Sequence, residues 1–188
     1  MVGAIIAAAI VAAIVIWAIG ANNALVSSGN QCDNAEQQIS TQLQRRFDLI
    51  PNLVATVKGY AKHESDTLRA VTAARSAGKA ALDAGDTAAA VEADANLTRG
   101  LGLALNAVAE AYPDLKADKN FLSLQEELTT TENKVAFARQ AFNDAVLAYN
   151  NRVEMFPSSI IAHLRHFQTR QGFTIEDEAA KTAPKVEF

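Results

Sequence analysis

The chain has 188 residues, of which 49% are hydrophobic but only 6% aromatic, so alanine, leucine, valine and isoleucine carry the hydrophobicity, as in closely packed helices. A formal net charge of -4 excludes the broad basic footprint of a nucleic-acid-binding domain and argues equally against a polybasic lipid clamp. The single cysteine, Cys32, rules out an internal disulfide and a multi-cysteine zinc site, and reads as a small apolar residue at a helix interface.

From Val2 to Ile19 every residue is apolar or glycine, and the first charged side chain is Asp33. A helix rising 1.5 Å per residue needs about 20 residues to cross roughly 30 Å of hydrocarbon, and this run is that long. It lacks the basic n-region and terminal cleavage signal of a secretory leader, so residues 1–21 are read as a retained, single-pass transmembrane anchor. Trp17 stands where an indole favours the membrane interface. Small residues at Gly3, Ala7, Ala8, Ala12 and Ala13 would permit close helix approach within lipid. With the first basic residues at Arg45 and Arg46, the positive-inside tendency places the following domain on the cytoplasmic side of the inner membrane.

Residues 22–167 read as a helical bundle domain. Leu25, Cys32, Ile39, Leu43, Phe47 and Ile50 form one helical stripe, which suggests that the anchor continues outward with little interruption. Asp48 as an N-cap and Pro51 in a first turn predict a corner near Phe47 to Pro51, from which a second helix runs to Gly78. An alanine-rich helix starts at an Asp86 or Thr87 cap and ends at Tyr112-Pro113.

The clearest periodicity comes next. Phe121, Leu128, Val135, Phe142, Tyr149 and Phe156 recur every seven residues, with Leu124, Thr131, Ala138 and Ala145 at the companion positions. Large residues on one row and small ones on the other suit antiparallel packing, with Leu128, Val135, Phe142, Tyr149 and Phe156 as the bundle seam. Ser158 or Ser159 is expected to cap a short last helix, and residues 168–188 read as an acidic, disordered tail. The fold class is therefore all-α: a transmembrane helix, then an antiparallel bundle of about four long helices plus a short C-terminal one.

Two motifs, Gln42-Leu43-Gln44-Arg45-Arg46-Phe47-Asp48-Leu49-Ile50-Pro51-Asn52-Leu53-Val54 and Leu128-Thr129-Thr130-Thr131-Glu132-Asn133-Lys134-Val135-Ala136, resemble the LemA family. So do Asn23-Ala24-Leu25-Val26, the pairs Phe142-Asn143, Tyr149-Asn150 and Phe156-Pro157, and the ending Pro184-Lys185-Val186-Glu187-Phe188. The resemblance covers essentially the whole chain, although Asn34-Ala35 stands where an Ala-Trp pair is expected. It implies a bacterial, membrane-anchored helical bundle without known catalysis. One relative belongs to the magnetosome proteins that form a membrane compartment, and by that analogy membrane organisation becomes the leading functional expectation.

No nucleophile with a base and orienter and no phosphate loop is present, so no catalytic residue, metal or cofactor is expected. His163 and His166, three apart, are two ligands at most and read as surface histidines. Arg45, Arg46, Asp48, Asn52, Glu132, Asn133, Arg139 and Asn143 form the polar core of the family signature, expected to meet where long helices cross and either to fix register or to bind a partner. The expected partners are the lipid bilayer, further copies of the chain and a protein held by the helical groove or the C-terminal tail. The functional expectation is a non-enzymatic scaffold that self-assembles and organises or shapes membrane, with a membrane-tethered adaptor as the alternative.

Overall fold

The computed structural model describes residues 1–60 and 65–173. The chain forms α1 (Val2–Tyr60), α2 (Ser65–Asp83), α3 (Thr87–Ala111), the single turn α4 (Pro113–Lys116), α5 (Lys119–Glu154) and the short α6 (Ser158–Leu164). No strand occurs among the described residues. The fold is thus a helical bundle whose first helix extends far beyond the others.

α1 has 59 residues and at 1.5 Å per residue is roughly 90 Å long. Its first part reaches a mean hydropathy of 2.8 over 18 residues, none of them buried, and is long and apolar enough to cross a membrane. From Leu25 onward one face turns inward: Leu25, Cys32, Ile39, Leu43, Phe47, Ile50, Leu53 and Val57 are at most 1% exposed. One helix therefore supplies both the apolar run and a full side of the core.

The corner expected near Phe47 to Pro51 does not form. α1 passes through Pro51 and ends at Tyr60, and Asp48 caps nothing, its carboxylate instead accepting from Gln44 Nε2 at 2.8 and 2.9 Å. Proline removes the N–H that would bond the carbonyl of Phe47, and its ring crowds that same oxygen. Arg75 Nε, on α2, donates to that oxygen at 3.0 Å, which replaces the lost bond. Gly78, expected to end the second helix, lies inside α2. There the Phe47 ring sits so close that a Cβ on Gly78 would stand 2.3 Å from it. α2 ends at Asp83 in a Schellman motif, with Gly85 at φ +75°, its N–H on the Leu82 carbonyl and that of Asp86 on Ala81. Asp86 then caps α3, accepting from Ala89 N at 2.9 Å, as its sequence position suggests.

α5 begins at a second cap, Asp118, whose carboxylate accepts from Phe121 N. It runs antiparallel to α1 in constant register: Tyr60 Oη donates to Asp118, Arg46 meets Glu132, Gly29 lies against Tyr149, and Arg152 donates to the Ala24 carbonyl. α2 is antiparallel to α1 (Lys79 on Gln44, Arg75 on Phe47), whereas α3 runs parallel to it, with Ser40 beside Thr87 and Arg46 on Asp94. Four long helices therefore surround the half of the core distal to the apolar run. The proximal half, below the α2–α3 turn, is built on α1 and α5, with the short α6 packed across both.

Phe121, Leu128, Val135, Phe142 and Tyr149 are buried as the heptad predicts, but Phe156 is 81% exposed and does not belong to the seam. α5 stops at Glu154, so the helical phase is lost before Phe156, and Val153 closes the buried row instead. Neither serine caps α6. Pro157 holds the N-cap position, and Ser158 Oγ donates back to the Met155 carbonyl.

Candidate functional site

Arg46 is the centre of the polar organisation. It lies on the buried stripe of α1 between Leu43 and Ile50, so its guanidinium is carried into the interior and is only 2% exposed. A buried charge must be paired and hydrogen-bonded. Nη1 donates to both carboxylate oxygens of Asp94 at 3.0 and 2.8 Å, and Nη2 to Thr98 Oγ1 at 2.9 Å and Glu132 Oε2 at 3.1 Å. Three helices, α1, α3 and α5, are thus tied at one level. Nε is buried without a hydrogen-bond partner among the described residues.

Burial pushes the Asp94 carboxyl above its usual range; Arg46 acts against that shift, Glu132 adds to it and Arg139 opposes it. Glu132 is half-exposed at the rim of a cleft of about 420 Å³, which Arg46, Thr98, Gln125 and Thr129 also line. The positive charge of Arg46 is shared between two carboxylates, one buried and one at the rim, so its donors are directed at groups of the neighbouring helices.

Of the eight signature residues, Arg46 and Glu132 meet directly and Arg139, half-buried, lies within electrostatic reach of Asp94. Arg45, Asp48, Asn52 and Asn133 are exposed and take no part in the Arg46 centre. Asp94 and Thr98 are the partners that the sequence reading overlooks. The signal was there: both fall in the stripe of Val91, Leu97 and Leu101, and a carboxylate on an apolar stripe calls for a buried cation.

Asn143 belongs to a different arrangement. Its amide donates to the Phe173 carbonyl at 3.0 Å and accepts from Phe173 N at 2.8 Å. One heptad on, Asn150 does the same to Arg170, both bonds at 2.9 Å. Two carboxamides on one face of α5 therefore grip the backbone of a non-helical segment at both ends. Gly172 passes so close to Asn143 Oδ1 that a Cβ would stand 2.8 Å from it.

Side chains add to the clasp. The Phe173 ring packs on Phe142 at 4.9 Å between centroids, and Arg170 lies over the Tyr149 ring at 5.3 Å while bonding Asp33. Residues 168–173, read from composition as the start of a disordered tail, are thus laid along α5 where α2 and α3 do not reach. Residues 174–188, with the rest of that tail, lie outside the described residues. Near this strap Cys32 is fully buried, and burial pushes its thiol up, away from the reactive thiolate. His163 and His166 are exposed, and no group of three metal-binding side chains occurs among the described residues. Trp17 stays 39% exposed at the end of the apolar run.

The family model described as LemA family matches residues 35–188. A curated relative named Protein LemA, from Metamycoplasma hominis, is 28% identical over 144 residues, which cover 77% of this chain and 64% of the relative. The chain therefore spans just under two thirds of the length of that relative. The matched region takes in the Arg46 centre and the asparagine clasp, and it begins beyond the apolar run.

Proposed function

Because the chain belongs to the LemA family, we propose that it is a non-enzymatic, membrane-anchored helical scaffold that self-assembles and organises or shapes membrane. The observation that carries this reading is the continuity of α1. A single helix holds the exposed apolar run and, from Leu25, the central side of the core, so the bundle has no flexible linker between it and the bilayer. The run is the single pass, with Trp17 at its interface and the bundle on the cytoplasmic side of the inner membrane.

Self-assembly has two supports. Gly3, Ala7, Ala8, Ala12 and Ala13 lie on a part of α1 against which none of the described residues packs. On α5, Phe137 and Leu147 are 71% and 61% exposed, bulky apolar side chains available to another copy. The Arg46 centre then acts structurally, holding the register of the surface that copies share. Photobleaching-step counts of labelled full-length chain in vesicles test this reading: clusters of two or more copies at low protein-to-lipid ratio are expected, and single steps throughout would reject it.

The adaptor alternative draws on a specific observation, the grip of Asn143 and Asn150 on residues 170–173. A face that holds its own extended segment by backbone bonds can hold a partner's segment in the same way. Recovery of a soluble partner by the full-length chain, lost in an Asn143→Ala, Asn150→Ala variant, would favour the adaptor over the scaffold.

A further inference from the structure

The end of the bundle nearest the apolar run carries bulky side chains that the core does not use. Beyond Glu154 the chain turns through Met155 to Pro157 into α6. Ile161 and Ala162 of α6 are buried, 8% and 1% exposed, and join it to the core. On the outside, Met155 is 61% exposed, Phe156 81%, Ile160 53% and Leu164 72%. With Ile161 and Ala162 turned inward, the outer side of this seven-residue helix carries Ile160 and Leu164 beside the exposed His163, an apolar surface that water does not favour.

The register of α1 against α5 gives the height of this patch. Tyr149 lies against Gly29 and Arg152 Nη1 donates to the Ala24 carbonyl at 2.8 Å, and the two pairings continued to Met155 bring it level with Asn23 and Ala21 respectively. α6 packs on both α1 and α5, and Ala18 and Ala21 are partly covered by the core. The patch therefore lies beside the base of the apolar run, within about one turn of the exposed Ile19. Arg165, also exposed, follows Leu164 directly and places a cation at the patch's edge. Apolar bodies edged by charged and polar groups, Arg165 and His163 on one side and Glu154 on the other, beside a membrane-crossing helix, match the boundary between headgroups and acyl chains.

We propose that the corner between α5 and α6 and the outer face of α6, through Met155, Phe156, Ile160 and Leu164, form a second membrane contact: a foot seated in the headgroup boundary of the bilayer that the N-terminal helix crosses. The foot rests on the anchored reading above and goes beyond it. A lone spanning helix leaves the bundle free to tilt, whereas a foot at its base sets its attitude to the membrane.

The test uses the full-length chain with Cys32→Ala, one new cysteine at a time and an environment-sensitive fluorophore, reconstituted in two sets of phosphatidylcholine vesicles, one brominated near the carbonyl end of the acyl chains to report the boundary and one near the methyl end to report the mid-span Ile10 site. Phe156→Cys and Ile160→Cys are the probes, Ile10→Cys reports the span, and Lys116→Cys reports the opposite end of the bundle. All four sites are exposed in the monomer, and circular dichroism verifies that each labelled chain remains helical. The expected result is strong quenching at Ile10, Phe156 and Ile160 and none at Lys116. If Ile10 is quenched while Phe156 and Ile160 match Lys116, the foot is wrong and the anchor stands. If none is quenched, the anchored reading falls with it. Disulfide pairing of Phe156→Cys between copies, without quenching, would assign the patch to a second copy and overturn the proposal.

Discussion

Arg75 Nε donates to the carbonyl oxygen of Phe47 at 3.0 Å, and that oxygen is the one acceptor in α1 that Pro51 deprives of its intrahelical donor. A side chain from the next helix thus completes the backbone of the first, and α1 continues past the proline to Tyr60. Arg75→Leu should cost about 1–3 kcal/mol, the range for leaving a partly buried acceptor unmade. In a Pro51→Ala background, where residue 51 again has an N–H, the same change should cost distinctly less. Urea denaturation of the four proteins of this cycle measures the coupling, and strict additivity would show that the Arg75 bond does not stand in for the helical one.

Gly78 depends on contact rather than conformation. An added methyl group would stand 2.3 Å from the Phe47 ring, so Gly78→Ala should destabilise by about 1–3 kcal/mol through overpacking, despite alanine's helix preference. Gly102, on α3, has nothing within 4 Å of the same position, and Gly102→Ala should stabilise by up to about 1 kcal/mol. Opposite shifts in thermal midpoint for these two chemically identical changes are the expected outcome.

The Arg46 centre predicts a strong asymmetry. Arg46→Met leaves Asp94 buried and uncompensated and should cost about 3–5 kcal/mol, whereas Arg46→Met with Asp94→Leu should recover most of that loss. Chemical denaturation of the single and double variants decides it. A double variant no more stable than the single one would mean that Asp94 is not the charge Arg46 neutralises.

The strap offers a chemical readout. Asn143→Ala with Asn150→Ala removes four hydrogen bonds to residues 170 and 173 and should free the segment that lies beside Cys32 and Asp33. Because Cys32 is the only cysteine and is fully buried, its modification by a maleimide should accelerate at least about tenfold, the factor that follows if opening becomes easier by about 1.4 kcal/mol. Asn133→Ala, at an exposed position on the same helix, should leave the rate unchanged.

Periodicity made the elements legible. The stripe from Leu25 to Ile50 and the heptads from Phe121 to Tyr149 are buried as their spacing predicts, because apolar residues at helical intervals have only one way to leave water together. What local reading could not reach were the features settled between helices. Pro51 and Asp48 together look like a helix start until Arg75, distant in sequence, supplies the missing donor. Gly78 looks like a stop until the Phe47 ring occupies the space where its side chain would be. Phe156 satisfies the heptad arithmetic but falls after the helix has ended.

The polar residues divided in the same way. Arg46 and Glu132 meet as the signature suggests, while the other partners of Arg46, Asp94 and Thr98, stand in the alanine-rich stretch outside both motifs, marked only by their place in an apolar stripe. Asn143 was legible as a buried-side polar group, but its partner is a backbone segment whose composition reads as disorder. Composition reports average burial, and the clasp depends on two amides placed seven residues apart.

The scaffold proposed here requires that the bundle, fused to its apolar helix, assembles in the membrane. Electron microscopy of the full-length chain reconstituted in lipid vesicles reports both assembly and membrane shape. Multi-copy assemblies on the membrane are expected, with the vesicle surface reshaped where they gather. Isolated single bundles on vesicles of unaltered shape, at protein densities where copies meet, would contradict the scaffold.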